Sequence, residues 1–168
     1  MGQAVIGLSQ TQITASTSVP QFRLGTVGGY DDPTNGYEEF VYGKAGTGGA
    51  TGAGYLCVES TGFVFTMATT TNTAAGTYGH GSRCGAAQAA MSANDYGWFQ
   101  ILGKGSLRTA GAAAIGTRLN TTATAGAVDD DGTAGARAIN GIVLLTATAG
   151  AATGTDAVFS YPTVGATL

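Results

Sequence analysis

The sequence predicts an all-β protein: a compact antiparallel β-sandwich or barrel with short strands and long Gly/Ala/Thr loops, plus an extended N-terminal arm. Three observations lead there. Gly, Ala and Thr supply half of the 168 residues, with 29 Gly alone. That is too much glycine for a helix bundle, where each interior Gly costs about 1 kcal/mol relative to Ala. Apolar residues alternate with a period of two in several short stretches rich in aromatic and β-branched side chains. Turn-forming clusters separate those stretches along the whole body, as in a sandwich or barrel.

The elements follow in order. Residues 1–36 read as an extended arm ending in a turn, and 37–168 as the β-domain. Met1 to Val19 is polar, and Val5, Ile6, Ile13 and Val19 are spaced too widely to make a core. Phe22 and Leu24 alternate with Gln21 and Arg23 after Pro20. Apolar anchors at wide spacing suit a chain lying along another protein or adding to a sheet edge. Val5, Ile6, Ile13, Val19, Phe22 and Leu24 are therefore the candidate partner-contacting residues. Gly28 to Gly36 is dense in turn formers and closes the arm.

Tyr37 to Lys44 is the first expected strand, with Glu39, Val41 and Gly43 on one face and Tyr37, Phe40 and Tyr42 in imperfect alternation on the other. Tyr55–Glu59 and Phe63–Met67 flank Ser60-Thr61-Gly62, which reads as a tight hairpin. Ala68 to Gly81 reads as a surface loop, and a strand is expected within Ser82 to Met91. Tyr96 to Gly103 is the strongest strand pattern, followed by a hairpin at Gly103-Lys104 into Gly105–Thr109. Short strands are expected near Leu119 and Val128, a long one from Arg137 to Thr148, and a last one from Asp156 that Pro162 ends. The expected core is Leu56, Val58, Phe63, Phe65, Trp98, Phe99, Ile101, Ile139, Val143, Leu145, Val158 and Phe159.

Charge and motif content narrow the function. Charged residues are 10% of the chain, the net charge is −3, and the 7 Lys and Arg form no run. Nothing could neutralise a row of phosphates, so direct nucleic-acid binding is not expected. The longest aliphatic run, Ile142–Leu145, is strand-sized, so no membrane partner is expected, and no leader pattern opens the sequence. Cys57 and Cys84 read as reduced thiols, with a single bridge between them as the alternative. His80, four residues before Cys84, lacks further ligands for a metal site. Asp129-Asp130-Asp131 does not match a calcium loop and reads as a solvated turn. The Gly46–Gly54 tract lacks the Gly-Lys-Ser/Thr of a P-loop and opens no helix. No catalytic, cofactor-binding or metal-binding residue is expected, and no enzyme. Trp98 reads as core, the alternative being an exposed stacking platform.

Several segments occur in a telling order. Tyr37, Phe40-Val41-Tyr42 and Lys44-Ala45 come first, then a small-residue tract and Leu56-Cys57-Val58. Asn94-Asp95-Tyr96-Gly97-Trp98-Phe99-Gln100-Ile101-Leu102-Gly103 follows, then Ala127–Asp130, Ile139–Ile142 and Tyr161-Pro162. This order resembles the decoration, or cement, proteins of tailed bacteriophage heads. The resemblance spans residues 37–162 and leaves out the arm. It implies a virion protein, made in the host cytoplasm, that binds the outer surface of an assembled capsid and stabilises it. Its implied partners are the major capsid protein and further copies of itself, as a homotrimer, with no cofactor. The alternatives are another virion β-domain, from a tail or minor capsid component, and a glycan- or receptor-binding β-module using Trp98 and the tyrosines.

Overall fold

Alternation and turn chemistry give thirteen strands and one helical turn in the computed structural model, which describes residues 6–50 and 52–168. In chain order these are β1 (Ile6–Gly7), α1 (Gln10–Ile13), β2 (Val27–Asp32), β3 (Gly36–Ala45), β4 (Tyr55–Glu59), β5 (Val64–Met67) and β6 (Cys84–Ala87). Then come β7 (Tyr96–Thr109), β8 (Ala112–Ala113), β9 (Leu119–Thr121), β10 (Val128–Asp129), β11 (Arg137–Leu144), β12 (Thr148–Ala149) and β13 (Ala152–Thr167). The protein is all-β and compact, as expected. Its sheet is mixed: β1·β2, β3·β5 and β7·β10 pair in parallel, the remaining ladders antiparallel.

Eleven strands form one sheet in the order β1-β2-β3-β5-β4-β6-β7-β10-β9-β11-β13, and β7 also pairs with both β3 and β13. Those two extra ladders close the sheet on itself twice. One ring runs β3-β5-β4-β6-β7 and the other β7-β10-β9-β11-β13, with β7 common to both. Closure removes exposed sheet edges, which are otherwise sites of unwanted pairing.

The hairpin expected at Gly103-Lys104 is not formed. β7 runs on through that point, bent at Gly103, whose φ is +91°. The Gln100 side chain spans the bend, donating to the Leu102 carbonyl at 3.2 Å and the Lys104 carbonyl at 2.9 Å. Up to Leu102 β7 pairs with β3 and β6; from Leu102 onward it pairs with β13, and at Thr109 also with β10.

Three buried clusters result. Val41, Cys57, Phe65, Ala87, Met91, Phe99 and Ile101 fill the first ring, with Phe65 stacked on Phe99 at 4.1 Å. Leu56, Val58 and Cys84 face the other way and pack with Leu107, Leu119, Ile139, Ile142, Leu144 and Phe159. Phe40, Tyr42 and Trp98 form the third cluster with Ile13.

Most of the expected core is buried, with four exceptions. Phe63 is half-buried. Val143, Leu145 and Val158 are 46%, 43% and 38% exposed. The reason is a bulge: the β11·β13 register shifts between Asn140 and Ile142, at Gly141 with φ +75°. Between those two residues β11 advances two positions while β13 advances four, and the in-out alternation of β11 changes phase at Gly141, so Ile142 and Leu144 are buried in place of Val143 and Leu145. The same bulge explains why Pro162 does not end the last strand. Pairing with β11 jumps from Phe159 to Thr163, so Pro162, which has no N–H to give, sits where no ladder bond is required.

Cys57 and Cys84 are both free and buried. They lie in different clusters, on opposite faces of the β4·β6 pair, so the alternative of a bridge between them is geometrically closed.

Candidate functional site

The candidate partner-contacting residues divide three ways. Val5 lies outside the described residues. Val19 stands out at 68% exposure. Ile6, Ile13, Phe22 and Leu24 come together against Phe40, Tyr42 and Trp98. Ser9 starts the turn that carries Ile13: its Oγ accepts from the Gln12 N–H while the Gln12 side chain accepts from the Ser9 N–H, a reciprocal capping box. The Phe22 ring meets Tyr42 at 5.3 Å and Trp98 at 5.2 Å, and the Tyr42 hydroxyl accepts from the Gln21 N–H at 3.0 Å. The described part of the 1–36 segment is thus folded on its own body. Val27–Asp32 is a strand in register with β3, with no turn until Thr34–Asn35, where both N–H groups donate to Asp32. Trp98 is 2% exposed beneath this layer, so it offers no stacking platform.

A cleft of about 950 Å³ lies elsewhere. The loop before β6 builds one wall: Gly81 and Val164 donate backbone bonds to Val164 and Ser82, which ties residues 81–83 to β13. Tyr78, Tyr161, Val27 and Ile101 are among the residues that line the cleft. Glu39 also lines the cleft, where the β3·β7 register shifts between Glu39 and Phe40. Its carboxylate accepts from Tyr161 Oη at 2.8 Å and from Tyr37 Oη at 3.1 Å. The bond to Glu39 raises the Tyr161 pKa; partial burial and then Glu39 raise that of Tyr37. Both hydroxyls therefore remain protonated donors. Glu59 and Arg83, at neighbouring strand ends, pair at 3.3 Å. Burial raises the Glu59 pKa and Arg83 offsets part of that rise. No local motif marks this cleft, because its charged residues, Glu39, Glu59 and Arg83, come from three separate segments.

A second surface is apolar. Val143 lies directly across from Val158, and the Leu145 N–H donates to the Asp156 carbonyl one step along. The three side chains form one exposed row on the outer face of β11 and β13. Lys104 and Asp156, paired at 3.0 Å, border it.

The remaining candidates for chemistry resolve into structural roles. His80 is exposed while Cys84 is buried, so the two do not act together. Burial pushes the Cys84 thiol up to about 12 and raises Cys57 further, which disfavours a nucleophilic thiolate. Asp130 accepts from the Ala114 N–H at 2.9 Å and Thr117 Oγ1 at 3.2 Å, clamping the loop after β8. Those bonds lower its pKa, the Ala114 bond most. Among the described residues no three His, Cys, Asp or Glu side chains are grouped to hold a metal. No helix among them is long and apolar enough to cross a membrane. No family model, curated protein or solved structure matches the chain.

Proposed function

We propose that this chain is a virion structural protein, a capsid decoration or cement protein that binds the outer surface of an assembled phage capsid and stabilises the shell. The observation that carries the reading is the exposed apolar row of Val143, Leu145 and Val158. Exposed apolar side chains gathered on one strand pair of a closed barrel suit contact with another protein. The sequence resemblance supplies the partner, the major capsid protein, and the homotrimeric state. The side-chain chemistry agrees: buried thiols and a clamping Asp130 suit a packing role better than a reactive one. The test is sedimentation of the purified chain with expanded capsids stripped of their decoration protein. Stoichiometric co-sedimentation is expected, together with at least a tenfold loss, about 1.4 kcal/mol, for Val143→Glu/Val158→Glu with unchanged circular dichroism. No co-sedimentation of the parent chain would end the reading.

A second reading, a glycan- or receptor-binding β-module, loses its Trp98 platform to burial. The cleft beside Glu39 is the specific observation that still favours it.

A further inference from the structure

The cleft between β3, the loop before β6 and β13 combines three properties. The first is size: about 950 Å³, at the upper end of small-molecule sites. The second is an amphiphilic lining. Val27 and Ile101 supply apolar lining, and Tyr78 and Tyr161 add two aromatic rings. The third is unspent hydrogen-bonding capacity of both signs. Each Glu39 oxygen accepts one tyrosine hydroxyl and keeps a second lone pair. Arg83 uses Nε on Glu59 and leaves its terminal amines pointing to no acceptor among the described residues. The hydroxyls of Thr61, Ser82 and Thr163 also line the cleft without an internal partner there.

Each ligand class can be weighed against this lining. An anion would meet the Glu39 carboxylate, which no cation neutralises among the described residues. A strong cation would compete with Arg83 for Glu59 and meet the guanidinium itself. An apolar ligand would strip water from two carboxylates and an arginine with nothing in return, a cost of several hydrogen bonds. A neutral sugar ring suits all of it. One face of such a ring is a sheet of C–H groups, which packs on aromatic rings and aliphatic side chains. Its rim carries hydroxyls that donate to carboxylates and accept from a guanidinium at once.

One backbone feature points at the same place. Tyr161 holds a φ of +49° in the middle of a strand, a conformation an ordinary side chain adopts at a cost of about 1–3 kcal/mol. It is 55% exposed, so core packing does not hold it there. The bulge opposite Gly141 sets the turn, and the Glu39 bond fixes the ring at the cleft wall.

We infer that this cleft binds a neutral saccharide, with Glu39 and Arg83 reading its hydroxyls and Tyr161 covering one ring face. The inference is independent of the capsid reading, since it concerns the free chain and a surface other than the apolar row.

The experiment is an array of neutral, acidic and amino-sugar oligosaccharides probed with the full chain, followed by titration calorimetry on the best neutral ligand. Saturable binding with a Kd below about 1 mM is expected for a neutral sugar, with sialylated and uronic-acid sugars weaker by at least tenfold. Glu39→Gln and Tyr161→Gly should each weaken it at least tenfold. Glycine is at ease at positive φ, so Tyr161→Gly should fold and melt like the parent, which separates lost contact from lost structure. Absence of neutral-sugar binding, a preference for acidic or cationic ligands, or undiminished binding by both folded variants would each overturn the inference. Co-sedimentation with capsids would be unaffected by any of these results.

Discussion

Glu38 shows what one buried carboxyl does to this fold. It lies on the same side of β3 as Phe40 and is only 7% exposed. Ile13, Gln100, Asn35 and Lys104 share its small cavity. Burial first, and the nearby Asp32 carboxylate second, raise its pKa from 4.5 to about 7; Asn35 and Lys104 act against the rise. The folded chain therefore holds a proton between those two values that the unfolded chain releases. That stabilisation is full below about 4.5 and is lost as the pH rises through 7. Glu38→Gln keeps the shape and removes the titration. At pH 8 it should be more stable than the parent by on the order of 1–3 kcal/mol, with the gap closing near pH 4. Urea titrations at both pH values check this, and parallel pH profiles for the two proteins would count against it. Trp98 makes the opposite case. Period-two alternation around it gave burial directly, and Trp98→Ala should cost about 3–5 kcal/mol in the same assay. The buried state of Glu38 was not legible: a carboxylate in a strand reads as outward-facing until one knows that the N-terminal segment covers that face.

At the scale of elements, the N-terminal segment is the main revision. Wide spacing of Val5, Ile6, Ile13 and Val19 reads as an arm ordered by a neighbour, and such an arm could be deleted without loss of the body's stability. The structure gives a different expectation. Ile13 is buried against Phe40 and Trp98, with Ile6 and Leu8 packed around them. Ile13→Ala should cost about 2–4 kcal/mol, and deletion of 1–19 at least as much, measured by thermal and urea unfolding. Parental melting of the deletion variant would restore the free arm. The strand β2 was hidden for a physical reason. Its glycines read as turn formers, yet they are there for close packing: a Cβ on Gly28 would lie 2.6 Å from the Leu8 side chain, and one on Gly29 2.5 Å from the Tyr37 hydroxyl. The central strands are legible because β3 and β7 each carry a run of aromatic and aliphatic side chains, Phe40-Val41-Tyr42 and Trp98 to Leu102, between turn signals. β11 is legible only as far as Ile139, because the ladder with β13 shifts register across Gly141 and the alternation changes phase there. The bend of β7 at Gly103 looked like a hairpin, since positive φ marks both; what decides is Gln100, whose side chain bridges Leu102 and Lys104 and carries the strand across. A Cβ on Gly105 would lie 1.9 Å from Gln100 Oε1, so that buried amide also explains a second glycine.

For the whole molecule, composition and turn spacing gave the all-β class and the barrel alternative, but not the surfaces that could act. The apolar row requires the Gly141 bulge, and the cleft requires strand ends far apart in sequence to meet. Both follow from closure of the sheet through β7, and that closure has a consequence for stability. β7 sends Trp98 to the third cluster, Phe99 and Ile101 to the first ring, and Leu107 to the second. Opening either ring would leave one of its edges unpaired along the shared strand, and buried backbone groups without partners are costly. The two rings should therefore unfold together. Phe65→Ala removes a ring from the first cluster, and Leu144→Ala removes a side chain from the second; each should cost about 2–5 kcal/mol. In differential scanning calorimetry each variant should show one transition, displaced to lower temperature, with calorimetric and van't Hoff enthalpies equal. Near- and far-ultraviolet circular dichroism should report the same midpoint, because Trp98 and the strands of both rings are lost in one step. The competing outcome is specific. If the rings are separate folding units, Phe65→Ala will split the transition, lowering the midpoint seen by aromatic signals while the β11·β13 half melts as in the parent. Leu144→Ala would then do the reverse. A single shifted transition in both variants makes β7 the element through which each half of the barrel holds the other.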